Sequence, residues 1–192
     1  MNNINKNLAN MITGIGLIAV ILFITFLFKG YSGPVMIVAI SIVALTDLMD
    51  GAIARGLKIV SQLGKSLDRA RDKLFACVLF GFELGRLLEK SDIVSNAASA
   101  FLVAILLFEL GLIGTWIFGL KKKLDVSAHV WGKRKMWFYF FSAYLFFVDV
   151  YFVPFLGNQI FGVVFLSCLA ISALLAFLSL WGYIQRFFPS KT

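Results

Sequence analysis

The chain alternates long apolar runs with short polar breaks, and the runs are too long for strands. No charged residue stands between Asn7 and Phe28, a length that lets a helix cross a hydrocarbon core of roughly 30 Å. Lys29-Gly30 ends that run, and Gly33-Pro34 restarts the chain with a proline suited to a first helical turn. A second helix follows through the apolar stretch Val35 to Leu45, into Asp47 and on to Arg55-Gly56. Leu57 to Leu63 reads as a turn at the membrane surface. The third helix is expected from Gly64 to Leu88, with a short apolar stretch, Leu74 to Phe82, ahead of Glu83 and Arg86. Those two stand three apart, a spacing that pairs them on one helix face. After a polar loop, Glu89 to Ser95, the fourth helix spans Asn96 to Leu120 and carries Glu109 inside it. Lys121 to Lys135 reads as the most basic loop. The fifth helix runs from Met136 to Phe152, and Pro154 with Gly157-Asn158 breaks the chain before the sixth, Gln159 to Ile184. Ahead of all six, the asparagine-rich Met1 to Asn10 suits a short helix lying at the membrane surface.

Composition turns this pattern into a class. Hydrophobic residues make up 60% of the 192, Phe alone accounts for 21, and the mean hydropathy is +0.92, well above a soluble domain. The expectation is an all-α integral membrane protein in the lipid bilayer: a polytopic bundle of six transmembrane helices forming one domain over residues 1–192. A net charge of +8 on a soluble chain would point to nucleic acid. Here the cations sit in the breaks, so no nucleic-acid partner is expected. All Lys and Arg except Lys29, Arg86 and Lys90 fall on the side of the two termini, which the positive-inside rule makes cytoplasmic. Trp131, Trp137, Tyr139 and Trp181 lie near span ends, where interfacial aromatics are ordinary. Cys77 and Cys168 lie inside apolar runs and support neither a disulfide nor a zinc site. The first apolar run is not followed by a small-x-small cleavage pattern, so it is expected to be retained as a span. His129, the single histidine, stands in a polar loop with no second ligand nearby, and Asp149 falls near the opposite membrane face.

The chemistry concentrates between Asp47 and Asp72. Carboxylates are costly in or beside a bilayer unless cations or a polar cavity hold them. Asp47 and Asp50 share a face of the second helix, and Gly64, Asp68 and Asp72 advance by four along the third. If the two helices are neighbours, four carboxylates converge at the cytoplasmic interface. Hard oxygen ligands in that number suit Mg²⁺ or Mn²⁺, and two such ions about 3.5–4 Å apart are a common device of phosphoryl chemistry. Gly51 and Gly64 leave room for a ligand against the backbone, and Arg55 with nearby lysines suits phosphate oxygens. Two other readings of the spacing stand beside this one. The carboxylates can simply pair with Arg55, Arg69, Arg71 and Lys73. A divalent-cation transporter would use them as its transport site, but it would carry them near mid-membrane on broken helices.

The stretch resembles the signature of the CDP-alcohol phosphatidyltransferases, DxxDGxxAR, eight residues, then GxxxDxxxD. Asp47, Asp50, Gly51, Ala54, Arg55, Gly64, Asp68 and Asp72 occupy every one of its positions, a match expected by chance at a given start on the order of 10⁻¹⁰ of the time. The resemblance implies a six-helix fold and transfer of a phosphate-linked group from a CDP-linked lipid donor to a small alcohol acceptor, with release of CMP. It implies metal ligation by Asp47, Asp50, Asp68 and Asp72, with Asp72 also the general base. A CDP site is implied at Asp47, Gly51, Ala54, Arg55, Gly64 and Asp68, and a homodimer is implied as well. A bacterial-type inner (cytoplasmic) membrane location follows, with the active site on the cytoplasmic face.

Outside the signature, Asn10 to Thr13 is similar to the Asn-x-x-Thr opening of the family's first span, without its preceding proline. Gly132-Lys133-Arg134-Lys135 is similar to the Gly-Lys-x-Lys of phosphatidylglycerophosphate synthase-like members, with Met136 in place of their usual Thr. Glu109 stands where such members carry Arg-Glu, with Phe108 in place of the Arg. Arg69-Ala70-Arg71 replaces their usual Pro-x-Ala. Candidates for the acceptor or its phosphate are Arg71, Glu109, Lys133 and Lys135. The donor expected is CDP-diacylglycerol and the acceptor glycerol 3-phosphate. Inositol phosphate, serine or phosphatidylglycerol as acceptor, or a CDP-aminoalcohol donor with diacylglycerol, are the alternatives.

Overall fold

A computed structural model describes residues 3–56, 62–122, 130–152 and 159–187. Every element in the described residues is helical: α1 (Asn3–Phe28), α2 (Gly33–Gly56), α3 (Gln62–Leu88), α4 (Ile93–Lys121), α5 (Val130–Tyr151) and α6 (Gln159–Phe187). The chain divides into two compact units, Met1–Phe75 and Ala76–Thr192, with α3 contributing to both.

In the first unit α1 packs on α2. Val20, Phe23 and Leu27 of α1 are buried, as are Met36, Ile40 and Val43 of α2 and Phe75 of α3; the Phe23 and Phe75 rings meet at 5.4 Å. The α1–α2 turn follows from its residues. Gly30 takes a left-handed φ of 67°, its N–H bonds to the Leu27 carbonyl, and the Tyr31 N–H bonds back to Phe26. That is the Schellman pattern, which favours glycine because it carries no Cβ at positive φ. The apolar contact that accompanies the motif is present too, with the Phe26 and Tyr31 rings 4.9 Å apart.

In the second unit α4 and α5 both pack on α6. Gly111 permits a close approach of α4, since a Cβ there would lie 2.9 Å from Leu180 Cδ2. Gly132 does the same for α5, where a Cβ would stand 3.3 Å from Ser179 Oγ. Small residues at such crossings are how helices pack where burial alone gives little drive. Large apolar side chains are exposed along α1, α4 and α6, among them Ile18, Leu107 and Leu174, a surface suited to lipid rather than water. By length and composition, α4 and α6 each qualify to cross a membrane, and shorter apolar stretches cover Gly14–Phe28 and Gly33–Met49.

Several boundaries differ from expectation. No separate surface helix precedes the first span, because α1 is continuous from Asn3. α4 starts at Ile93 rather than Asn96, because the Asp92 carboxylate accepts the Ser95 N–H at 2.9 Å and caps the helix three residues early. α5 starts at Val130 rather than Met136, so Lys133 to Lys135 lie on its first turns instead of in a loop. No breaker separates Trp131 from Met136 other than Gly132, which helices tolerate. The Glu83–Arg86 pair does not form. Arg86, half exposed, reaches Glu89 at 3.5 Å, while Glu83 turns inward, is fully buried, and neither carboxyl oxygen has a hydrogen-bond partner among the described residues. Asp149 is buried and pairs with Lys90 at 3.2 Å. Neither Cys77 nor Cys168 forms a disulfide among the described residues. His129 and the surface turn expected at 57–63 fall wholly or mostly outside the described residues.

Candidate active site

Asp47 sits on the C-terminal half of α2, and Asp68, Arg71 and Asp72 sit on the first turns of α3. The four-residue step from Asp68 to Asp72 keeps both carboxylates on one stripe, and α2 brings Asp47 to it. One oxygen from each of the three carboxylates lies within 4.8 Å of the others. All three side chains are partly exposed, at 29%, 46% and 27% for Asp47, Asp68 and Asp72. The side chain of Arg71 is only 2% exposed, and its Nη2 contacts Asp47 Oδ1, Asp68 Oδ1 at 2.8 Å and Asp72 Oδ1 at 3.4 Å. Three carboxylates less one guanidinium leave a formal charge of minus two among these four groups, and a divalent cation balances it. The donor set is hard oxygen throughout, which fits Mg²⁺ or Mn²⁺.

Asp50, Gly51, Ala54 and Arg55 lie on the last turns of α2, with side chains outside the described residues. Gly64 opens the first turns of α3, one helical turn before Asp68.

A second polar cluster lies within the other unit. Glu109 of α4, fully buried, accepts a hydrogen bond from the buried Lys135 ammonium and another from the Tyr139 hydroxyl at 2.8 Å. The Lys135 ammonium also lies 5.3 Å from the Tyr139 ring centroid. Lys135 and Tyr139 are four apart on α5 and share its face. Lys133, by contrast, is exposed. Glu109 and Lys135 stand out in the sequence singly, and Tyr139 reads there as an interfacial aromatic; the four-residue step from Lys135 to Tyr139 is the signal that joins two of the three.

Comparison with known proteins decides the class. The family model for CDP-alcohol phosphatidyltransferase matches residues 6–181, nearly the whole of the 192. The chain belongs to the CDP-alcohol phosphatidyltransferase family. No curated protein matches it. As a member of that family it is a transferase acting on phosphate groups in phospholipid synthesis, taking a CDP-alcohol and an alcohol as substrates. Family membership and the two long apolar helices together mark it as a membrane protein. The aspartates that the structure gathers are three of the signature's four.

Proposed function

We propose that this transferase moves a phosphatidyl group from CDP-diacylglycerol to glycerol 3-phosphate, releasing CMP, with Mg²⁺ or Mn²⁺ as cofactor. The observation that carries the reading is the convergence of Asp47, Asp68 and Asp72 inside a chain that bears the whole family signature. Asp47, Asp50, Asp68 and Asp72 hold the metal, two ions in the full site. Bound there, the ions neutralise the diphosphate and the leaving CMP. Asp47, Gly51, Ala54, Arg55, Gly64 and Asp68 hold the CDP moiety, the glycines by letting it approach the backbone and Arg55 by its planar fork.

Asp72 is the general base. As the acceptor oxygen bonds to the phosphatidyl phosphorus, the hydroxyl proton passes to the Asp72 carboxylate, and the bond to CMP breaks with its electron pair leaving on CMP. The exposed Lys133 supports an anionic acceptor. Arg71, Glu109 and Lys135, the other acceptor candidates, are engaged with partners within the chain. The remaining assignments belong to the same proposal: one domain over 1–192, six spans with both termini cytoplasmic, the site on the cytoplasmic face of a bacterial-type inner membrane, and a homodimer. The distribution of Lys and Arg supports the orientation.

The test is CMP release by the purified protein with CDP-diacylglycerol and either ion over a panel of acceptors: glycerol 3-phosphate, inositol phosphate, serine and phosphatidylglycerol. CDP-aminoalcohols with diacylglycerol form the other arm. Release confined to another acceptor would replace glycerol 3-phosphate. Silence with every CDP-linked donor would remove the transfer reading itself.

A further inference from the structure

The first turns of α3 bury two arginines, and only one of them is matched by charge. Arg71 is 2% exposed and pairs with Asp47, Asp68 and Asp72. Arg69 is 9% exposed and takes no hydrogen bond, ion pair or ring contact among the described residues. Asp72 lies three positions on, a step at which opposite charges pair on a helix, yet that pair is not made. A lysine so enclosed can shed its proton, whereas a guanidinium stays charged, and burying a charge without a counter-charge is costly. Nor is the group sealed in. Both carboxyl oxygens of Glu83 are wholly enclosed without a partner, and the nitrogens of Arg69 are not among such atoms, so the little exposure that Arg69 keeps reaches its guanidinium. A buried cation with five donors, no partner in the chain and a narrow opening to solvent fits an anion that comes from solution.

We propose that Arg69 receives the phosphate of the acceptor and so sets a preference for a phosphorylated alcohol. The assignment rests on the transfer reading above, which brings the acceptor hydroxyl to Asp72. At about 100° per residue, Arg69 stands about 60° round α3 from Asp72, on the flank away from Arg71 and Asp47. Along the axis the two are about 4.5 Å apart, a separation that a short polyol phosphate covers with its phosphate at one side chain and its hydroxyl at the other. The donor's diphosphate is drawn instead to the ions held by the aspartates, on the side of α2. The planar fork of a guanidinium suits a phosphate monoester, whose oxygens accept two parallel hydrogen bonds from it. Arg71 and Lys135, the other buried cations considered for the acceptor, are engaged with carboxylates. Arg69 also stands at the proline of the usual Pro-x-Ala, and proline has no donor to offer, so the discrimination belongs to this chain.

The experiment uses the full chain in detergent with Mg²⁺, CDP-diacylglycerol as donor and glycerol 3-phosphate as acceptor. Arg69→Gln is expected to raise the KM for glycerol 3-phosphate about 10–100-fold, the contribution of hydrogen bonds to a charged group. The donor KM and kcat should change less than about threefold, since a loss confined to the acceptor KM is a loss of binding and not of chemistry. Arg69→Lys, which keeps the charge without the fork, should recover part of the affinity. Melting supplies a readout that needs no turnover. Glycerol 3-phosphate at about 100 times its Kd should raise the melting temperature of the unaltered chain by about 5–10 °C, and glycerol at the same concentration should not. Arg69→Gln should melt at or above the unaltered chain without ligand, because an unpaired buried charge is gone, and it should lose most of the shift. A rise in the donor KM would give Arg69 to the donor's diphosphate and overturn the proposal. Unchanged KM for both substrates, a fall confined to kcat, a shift that survives in Arg69→Gln, or a variant that melts well below the unaltered chain would overturn it too. Failure of the transfer reading looks different: the shift is present in the unaltered chain and lost in Arg69→Gln, while no CDP-linked donor gives CMP release.

Discussion

Replacing Lys135 with Met tests the buried cluster on α4 and α5 most directly. Glu109 is fully buried, the side chains of the ion pair are 1% and 6% exposed, and no solvent discount applies. Removing the ammonium leaves a buried carboxylate with the Tyr139 hydroxyl, and breaking a buried pair from one side costs about 3–5 kcal/mol. For a chain of this size each kcal/mol moves the melting temperature by about 2–4 °C, so the expected loss is roughly 6–20 °C. Glu109→Leu should lose a similar amount, since it strands the ammonium. The double variant removes both charges, and such replacements are often neutral or stabilising by about 1–4 kcal/mol, so it should melt near or above the unaltered protein. Tyr139→Phe removes a single hydrogen bond, which in membrane bundles averages only about 0.6 kcal/mol, and should shift melting by a few degrees at most. The assay is tryptophan-fluorescence melting in detergent over the four variants. Single variants that melt with the unaltered chain, or a double variant carrying the sum of both losses, would refute the pairing and return Lys135 to the acceptor site.

Asp72→Asn should bind Mn²⁺ and CDP-diacylglycerol yet lose CMP release by about 10²–10⁴-fold, the share a general base supplies; full turnover in that variant would remove the assignment. Glu83→Leu should be neutral or stabilising in the same melting assay, because both carboxyl oxygens are buried without a hydrogen-bond partner among the described residues and an apolar replacement ends that cost; a large loss would show that the carboxylate is needed. Asp92 sets an acid limit on the start of α4. The Ser95 hydroxyl, 2.7 Å away, and then the Ser95 N–H hold its carboxyl below the usual carboxylate range. A depressed folded pKa contributes stability above the unfolded value, lost as pH falls through the folded one. Asp92→Ala should therefore cost about 1 kcal/mol at neutral pH, and the gap to the unaltered chain should close in acid; a gap independent of pH would sink the cap.

What the sequence made legible was the number and kind of elements, because apolar runs of span length leave a helix no rival. The boundaries that differ have one cause in common: polar residues that read as loop belong to helices or their caps. Asp92 is a loop residue by composition but a cap by chemistry, and it starts α4 three residues early. Lys133 to Lys135 read as a basic loop by composition, yet helix geometry lets Lys135 turn inward to Glu109 while Lys133 stays exposed. Glu83 and Arg86 have the spacing of a pair, and what separates them is burial, which spacing does not carry.

Asp47, Asp68 and Asp72 were legible because Asp68 and Asp72 repeat with the helix on one stripe of α3 and Asp47 opens the same signature on α2. Their cationic partner was not, for a reason that helix geometry makes plain. At about 100° per residue, Arg69 and Arg71 stand about 80° to either side of the line midway between Asp68 and Asp72. Seen from α3 alone, either guanidinium reaches the carboxylates equally well. The choice falls to α2, whose Asp47 comes in on the side of Arg71, and no pattern within α3 encodes that. A residue whose role depends on which side a neighbouring helix approaches is visible only once the two helices are packed, and Arg71 is such a residue.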